Sequence, residues 1–267
     1  MKILSLNVWG GLIHGPLLDY LAAVDADVYC LQEVSRASSA RSDWLTYRDG
    51  DHVLDQRANL YREIKALLPR HEAFFCPTAR GELLDGDDPC PQEFGIATFV
   101  REDLAVIAQA QDFIHGGFTA DGFGAHPRAR NAHCLRLFDY RGNRPVTVAH
   151  LHGLRDPAGK GDTPAREAQA GRLKALIESV HRPGDALVVC GDFNVLPESR
   201  TFDVLAELGL ADLVTGRGHT DTRTSLYTKP GRFADYMLVN AETPVADFAV
   251  VPEPEVSDHR PLLLTIG

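Results

Sequence analysis

Asp192 and Asn194 stand two residues apart in the segment GDFN (191–194), directly after the apolar run Leu187-Val188-Val189-Cys190. On an extended chain that spacing sends both side chains to one side. Five other apolar segments carry polar groups at an end. Asn7 lies near the end of KILSLNV, Glu33 follows DVYCLQ, and His150 and His152 close PVTVAHLH. Asp235 begins DYMLV, and Asp258-His259 precede PLLLTI. Singly, such acids and amides are ordinary turn residues. Gathered at one edge, they would supply carboxylate oxygens, amides and imidazoles, with no thiolate among them. Hard oxygen donors suit Mg²⁺ or Mn²⁺ rather than zinc. Such a set is equipped to hydrolyse a phosphoester. A carboxylate orients or deprotonates water, cationic groups offset developing charge, and the leaving oxygen receives a proton.

The elements that must position these groups are short strands alternating irregularly with amphipathic helices. Strands are expected at 2–8, 27–32, 145–152, 186–190, 235–239 and 261–266. Residues 95–100 and 104–110 read as a hairpin around Arg101-Glu102-Asp103. Helices are expected at 16–24 behind Pro16, at 59–68 before Pro69, after Thr163-Pro164, and at 200–208 before Gly209. Thr as N-cap and Pro at the first helical position mark the third of these. Residues 77–92 and 115–131 are rich in Gly, Pro or acids and read as long loops. No repeat or change of composition divides the chain, so residues 1–267 are expected to form a single domain.

Net charge is −10 over 267 residues. That balance disfavours a tight, sequence-independent grip on nucleic acid, which needs a basic surface. The five Cys are scattered and make neither a disulfide framework nor a CxxC zinc site. Without a long apolar run, neither a membrane span nor a signal segment is expected, and the cytoplasm is the expected location.

The set LNVWG (6–10), LQEV (31–34), HLHG (150–153), GDFN, DYMLV (235–239) and SDHRP (257–261) resembles the endonuclease/exonuclease/phosphatase superfamily, which includes deoxyribonuclease I-like enzymes. The resemblance spans residues 3–266, in the family's order. It implies an α/β (α+β) four-layer sandwich: two mixed β-sheets packed face to face, helices outside, the site at one edge. It also implies roles. Asn7, Glu33 and Asp258 match metal-site residues, and Asp192 the acid that acts on water. Asn194 matches the amide that fixes Asp192 and the phosphate, His259 the phosphate-contacting imidazole, and Asp235 its supporting acid. An acid beside an imidazole is expected to raise its pKa.

The chain departs from that pattern in having two candidate histidines. His150 and His152 share a face of a regular strand. His152 is preferred, because HG followed by LRD and DTPAR resembles a bacterial subgroup in which the catalytic His precedes Gly. The residue before Gly153 would also stand at the strand's mouth. Glu93 is a possible carboxylate partner for this imidazole, or else an acid capping a strand. Arg36, three residues after Glu33, is a candidate phosphate contact, but the solvated surface reading is preferred. The cations Arg128, Arg130, Arg155, Lys160, Lys229, Arg232 and Arg260 are scattered, which suits one or two phosphates better than a duplex. The expected partner is thus a phosphate-ester substrate, with nucleic acid possible and no membrane. The alternatives are an abasic-site or exonuclease III-like repair nuclease and an inactive binding module. Intact GDFN, SDH and Glu33 argue against the second.

Overall fold

The computed structural model describes the backbone of residues 1–267 and every side chain except those of Asp49 and His52. Two mixed sheets carry the fold. The eight-stranded sheet contains β1 (Lys2–Asn7), β2 (Val28–Arg36), β3 (Trp44–Asp49), β4 (His52–Arg57), β5 (His71–Asp85), β6 (Asp88–Arg101), β13 (Val245–Val250) and β14 (Leu262–Ile266). Its order is β13-β14-β1-β2-β6-β5-β3-β4. The six-stranded sheet contains β7 (Leu104–His115), β8 (Arg130–Asp139), β9 (Arg144–His152), β10 (Ala186–Asp192), β11 (Ala211–Asp212) and β12 (Asp235–Val239), in the order β11-β12-β10-β9-β8-β7. Within each sheet one pair is parallel: β1 with β2, and β10 with β9.

Burial follows from the sequence. The central strands β9, β10 and β12 are apolar runs without alternation and are buried on both faces. In β1 and β2 the two faces serve different layers. Ile3, Val28 and Cys30 join the core shared with Cys134, Val148 and Val189 of the second sheet. Leu4, Leu6, Tyr29 and Leu31 instead meet Leu17, Leu21, Leu60 and Ile64 of α1 (His14–Val24) and α2 (Leu60–Leu67). Leu173, Ile177 and Val180 of α3 (Pro164–Val180) cover the second sheet from the other side. Thr163 caps α3 by accepting from the Arg166 N–H, as its sequence predicts. No helix among the described residues is long and apolar enough to cross a membrane. All five cysteines are free and buried.

Two sequence expectations fail for identifiable reasons. Residues 95–110 do not form a hairpin, because β6 and β7 belong to different sheets. The turn between them bonds outward: the Arg101 N–H donates to the Asp27 carbonyl and the Glu102 N–H to that of Arg70. Arg101 also pairs with Asp25 and Asp27. Residues 77–92 are not a loop but the paired arms of β5 and β6, turning at Gly86 with φ +67°. A register shift between Pro77 and Ala79 accommodates the proline, which has no N–H for the ladder.

Candidate active site

The C-terminal ends of β1, β2, β9 and β10 and the segments around Asp235 and Asp258 meet at one edge of the sandwich. Asn7, the last residue of β1, lies at the centre. Its Oδ1 accepts from the Trp9 N–H at 3.0 Å, which fixes the amide. Its Nδ2 donates to Glu33 Oε1 at 3.0 Å and to Asp192 Oδ2 at 3.1 Å. Glu33 reaches it from a bulge in β2, where pairing with β6 shifts between Leu31 and Val34. Glu33 has φ +59° there, an uncommon conformation for a residue with a Cβ. The bulge redirects the carboxylate towards Asn7 rather than into the pleat.

Asp192 is the last residue of β10. The glycine before it is required by a close approach between strands rather than by a turn. Gly191 lies inside the strand, and a Cβ there would stand 2.0 Å from the Leu151 carbonyl oxygen. The turn comes at Asn194, with φ +56°. The Asn194 N–H donates to Asp192 Oδ1 at 3.0 Å, and its Nδ2 to the Gly153 carbonyl at 3.3 Å. One carboxylate oxygen of Asp192 is thereby held by its own turn. The other faces Asn7 and two imidazoles.

Those imidazoles belong to His152 and His259, each with Nε2 3.7 Å from Asp192 Oδ2. His152 Nε2 is also 3.9 Å from Glu33 Oε1. His150 lies deeper, with Nδ1 3.3 Å from Thr98 Oγ1, a hydroxyl it shares with His133 Nδ1 at 2.9 Å. His152→Ala is therefore expected to lose rate with little change in denaturation midpoint. His150→Ala opens a buried gap and strips Thr98 of a partner, and is expected to cost about 2–4 kcal/mol of stability. Turnover and urea midpoints of the two variants, measured side by side, check this; a well-folded but inactive His150→Ala would reverse the assignment.

Glu93 is elsewhere. It pairs with Arg36, whose Nε and Nη2 both lie 2.7 Å from Glu93 Oε2, and this guanidinium stands over the Phe75 ring at 4.4 Å. The suggested Glu93–His partnership is thus replaced by an ion pair across β2 and β6. Arg36 is likewise a packed residue rather than a solvated one.

His259 is held on both sides. Nδ1 lies 2.9 Å from both Asp235 oxygens, and Nε2 lies 2.5 Å from Arg223 Nη1. Contrary to the sequence expectation, its pKa falls to about 4, because burial and the Arg223 charge outweigh the neighbouring acids. Burial also lifts the Asp235 carboxyl to about 7. Arg223 can only donate, so the neutral His259 ring accepts from it at Nε2 and donates Nδ1–H to the Asp235 carboxylate. Burial, with Arg130 and His259 adding to it, also holds the His152 pKa well below the usual imidazole value.

The oxygen donors fit a hard divalent cation. Burial, then the Asp192 charge, raises the Glu33 pKa although Asn7 donates to it. Burial raises that of Asp258, with Glu33 adding to it. Asp258 Oδ1 is buried without a hydrogen-bond partner among the described residues. Closely placed acids with an unpartnered oxygen are what a cation stabilises. Atoms of Asp192, Asp235 and His259 also lie within 4.8 Å of one another. Both oxygens of Asp235 already face His259, so this group is better suited to orienting the imidazole than to caging an ion.

Two arginines that the sequence gave no reason to single out complete the edge. Arg223 joins Asp258 Oδ2 at 2.9 Å. Arg166 is fully buried at the start of α3 and donates to the carbonyls of Leu154, Gly159, Gly161 and Asn194. It ties the segment after β9 to the GDFN turn. Arg130, named from sequence, donates Nε–H to the Gly153 carbonyl at 2.8 Å. Burial lowers its pKa to about 10, opposed by Glu33 and Asp192. Arg232 and Arg260 pair with Asp221 and brace a loop instead.

The pattern of the Endonuclease/Exonuclease/phosphatase family matches residues 4–259. Solved structures share the fold at low identity. An endonuclease/exonuclease/phosphatase from Bacteroides vulgatus is 15% identical with a TM-score of 0.69, covering 100% of this chain and 98% of its own. A Bacteroides thetaiotaomicron mannosyl-6-phosphatase is 15% identical with a TM-score of 0.69, covering 100% and 99%. The human nocturnin catalytic domain with bound sulfate is 18% identical with a TM-score of 0.67, covering 100% and 93%. A comparison with curated proteins gave no match. The match from residue 4 to 259, over two mixed sheets with peripheral helices, shows that this chain belongs to the endonuclease/exonuclease/phosphatase family.

Proposed function

We propose that the chain is a Mg²⁺- or Mn²⁺-dependent phosphoester hydrolase in which Asp192 positions and deprotonates the attacking water. The observation that carries this reading is the convergence on Asp192 Oδ2. Asn7 donates to it at 3.1 Å, and His152 and His259 stand 3.7 Å away on their own elements. An acid held this way presents one oxygen to a small molecule while Asn194 fixes the other. Among neighbours of the same fold, one is a mannosyl-6-phosphatase and one holds sulfate, an anion of phosphate's shape. Both support a phosphate ester as substrate.

In this mechanism Asp192 takes a proton from water as its oxygen attacks phosphorus and the ester P–O bond breaks; the leaving oxygen takes a proton from solvent, to which Asp192 returns its own. His152 and His259 flank the reacting group. The arriving phosphoryl charge raises their proton affinity, so each takes a proton from solvent at Nε2 and donates it to a phosphoryl oxygen as charge builds. Asp235 keeps the His259 ring oriented through Nδ1. Glu33 and Asp258 would hold the divalent cation, which when bound offsets charge on the phosphoryl oxygens and acidifies water, while Asn7, whose Nδ2 faces Glu33 and Asp192, orients both carboxylates unless its amide turns to offer Oδ1.

The test is a substrate panel with purified protein: a nitrophenyl phosphomonoester, the corresponding diester, plain duplex DNA and abasic duplex DNA. Each is assayed with Mg²⁺, with Mn²⁺ and with excess chelator. Metal-dependent hydrolysis of a small ester is expected, with both duplexes the poorest substrates because the chain carries a net charge of −10. Preferential nicking at the abasic site would replace this reading with the repair-nuclease one. Inactivity on every substrate would contradict it.

A further inference from the structure

Arg223 has properties that its ion pair with Asp258 does not explain. Its side chain is 5% exposed. Its Nη1 lies between Asp258 Oδ2 at 2.9 Å and His259 Nε2 at 2.5 Å. Its Nε is buried with no hydrogen-bond partner among the described residues. A buried, unpartnered N–H on a cation is costly to leave unmade. The Nε edge of a guanidinium is also half of the fork that binds two oxygens of one phosphate.

The backbone beneath this side chain is fixed from both sides. Arg223 forms an antiparallel bridge with His259. The Thr224 N–H donates to the Asp258 carbonyl, and the Arg260 N–H to that of Thr222. Arg232 Nη2 donates to the carbonyls of Arg223 and Thr224 at 2.7 and 3.2 Å. The guanidinium face packs on Tyr227, 4.3 Å from the ring centroid. Lys160 Nζ stands over the same ring at 5.5 Å and donates to the Gly231 and Phe233 carbonyls. A cation braced this firmly beside an imidazole loses little further freedom when it takes a ligand.

We propose that Arg223 is a substrate ligand: its guanidinium binds the non-bridging oxygens of the phosphoryl group undergoing hydrolysis, beside His259. The assignment rests on the phosphoester reading of the site. It accounts for both the unpartnered Nε and the approach to Nε2 of His259. A phosphoryl oxygen arriving there accepts from the Nε–H, and once its charge has drawn a proton onto His259 Nε2 it replaces Nη1 as the partner of that atom.

The experiment compares wild type, Arg223→Gln and Arg223→Lys. Calorimetric binding of inorganic phosphate, with and without Mg²⁺, needs no turnover. Steady-state kinetics use the best ester of the panel, and Mg²⁺ binding is titrated separately. Arg223→Gln is expected to weaken phosphate at least about tenfold and to lower kcat by about 10²–10³-fold, the scale of losing one donor to developing charge. Mg²⁺ affinity should not weaken, and added guanidinium should restore part of kcat. Arg223→Lys keeps the charge without the fork and is expected to fall between the two. Should Arg223→Gln fail to fold, the Lys variant decides: phosphate affinity several-fold below wild type supports the assignment, and wild-type affinity overturns it. Arg223→Gln that binds phosphate like wild type, with only its midpoint or Mg²⁺ affinity altered, makes Arg223 a counter-ion of Asp258 and overturns the proposal. A wild-type protein that binds phosphate but hydrolyses no ester contradicts the hydrolase reading and leaves the Arg223 binding comparison intact.

Discussion

Asp192→Asn is expected to lower kcat by about 10³–10⁴-fold while the protein stays folded, the upper part of the range for a positioned acid–base group. The substitution keeps the shape of the side chain, and its Oδ1 can still accept from the Asn194 N–H. What is lost is the basic oxygen facing His152 and His259. In its place an NH₂ group meets the Nδ2 of Asn7, so donor faces donor. KM is expected to change far less than kcat, because the loss falls on the step in which charge moves. Stopped assays with the best ester, alongside circular dichroism of the same preparation, measure both. A folded Asp192→Asn variant within tenfold of wild type would remove the acid from the mechanism.

The second large effect is at Glu33. Its carboxylate is held by a bulge at φ +59°, so Glu33→Gln changes charge without changing placement. A Gln oxygen can still accept from Asn7, and the fold should survive. Losing one of the few charged ligands is expected to weaken Mg²⁺ by about 100-fold or more, since affinity for hard cations follows ligand charge. Turnover as a function of Mg²⁺ should shift by the same factor and partly recover at high metal concentration. Calorimetric titration with Mn²⁺ gives the affinity without any substrate. An unchanged metal dependence would place the ion elsewhere.

These residues were readable before the fold was known because each ends an apolar run, and a central strand buried on both faces leaves polar groups only at its ends. That one rule locates Asn7, Asp192, His152 and Asp235. It also separates His152 from His150, which lies one pleat deeper against Thr98. The bulge at Glu33 and the left-handed turn at Asn194 were not readable, because positive φ at a residue with a Cβ follows from tertiary contacts. The β5–β6 arms were misread because Gly, Pro and acidic residues usually signal a loop. Here they occupy the long paired arms of β5 and β6 within the eight-stranded sheet, which absorb the proline in a bulge. The mistaken hairpin at 95–110 shows a related limit: adjacency along the chain does not say which sheet a strand joins. Arg223 and Arg166 escaped notice for a third reason. Their partners are distant carbonyls, a carboxylate and an imidazole; nothing local in TDTRTS announces Arg223, and DTPAR bears on the choice of His152 without saying what Arg166 binds.

Restoring metal to chelator-stripped protein tests the central claim most directly, with wild type and Asp192→Asn read side by side on the best phosphoester. Stripped wild type should be inactive and recover with added Mg²⁺ or Mn²⁺. Asp192→Asn should remain inactive although the same titration shows the metal binding. Full activity in the stripped wild type, or recovery of Asp192→Asn on adding metal, would contradict metal-dependent hydrolysis through Asp192.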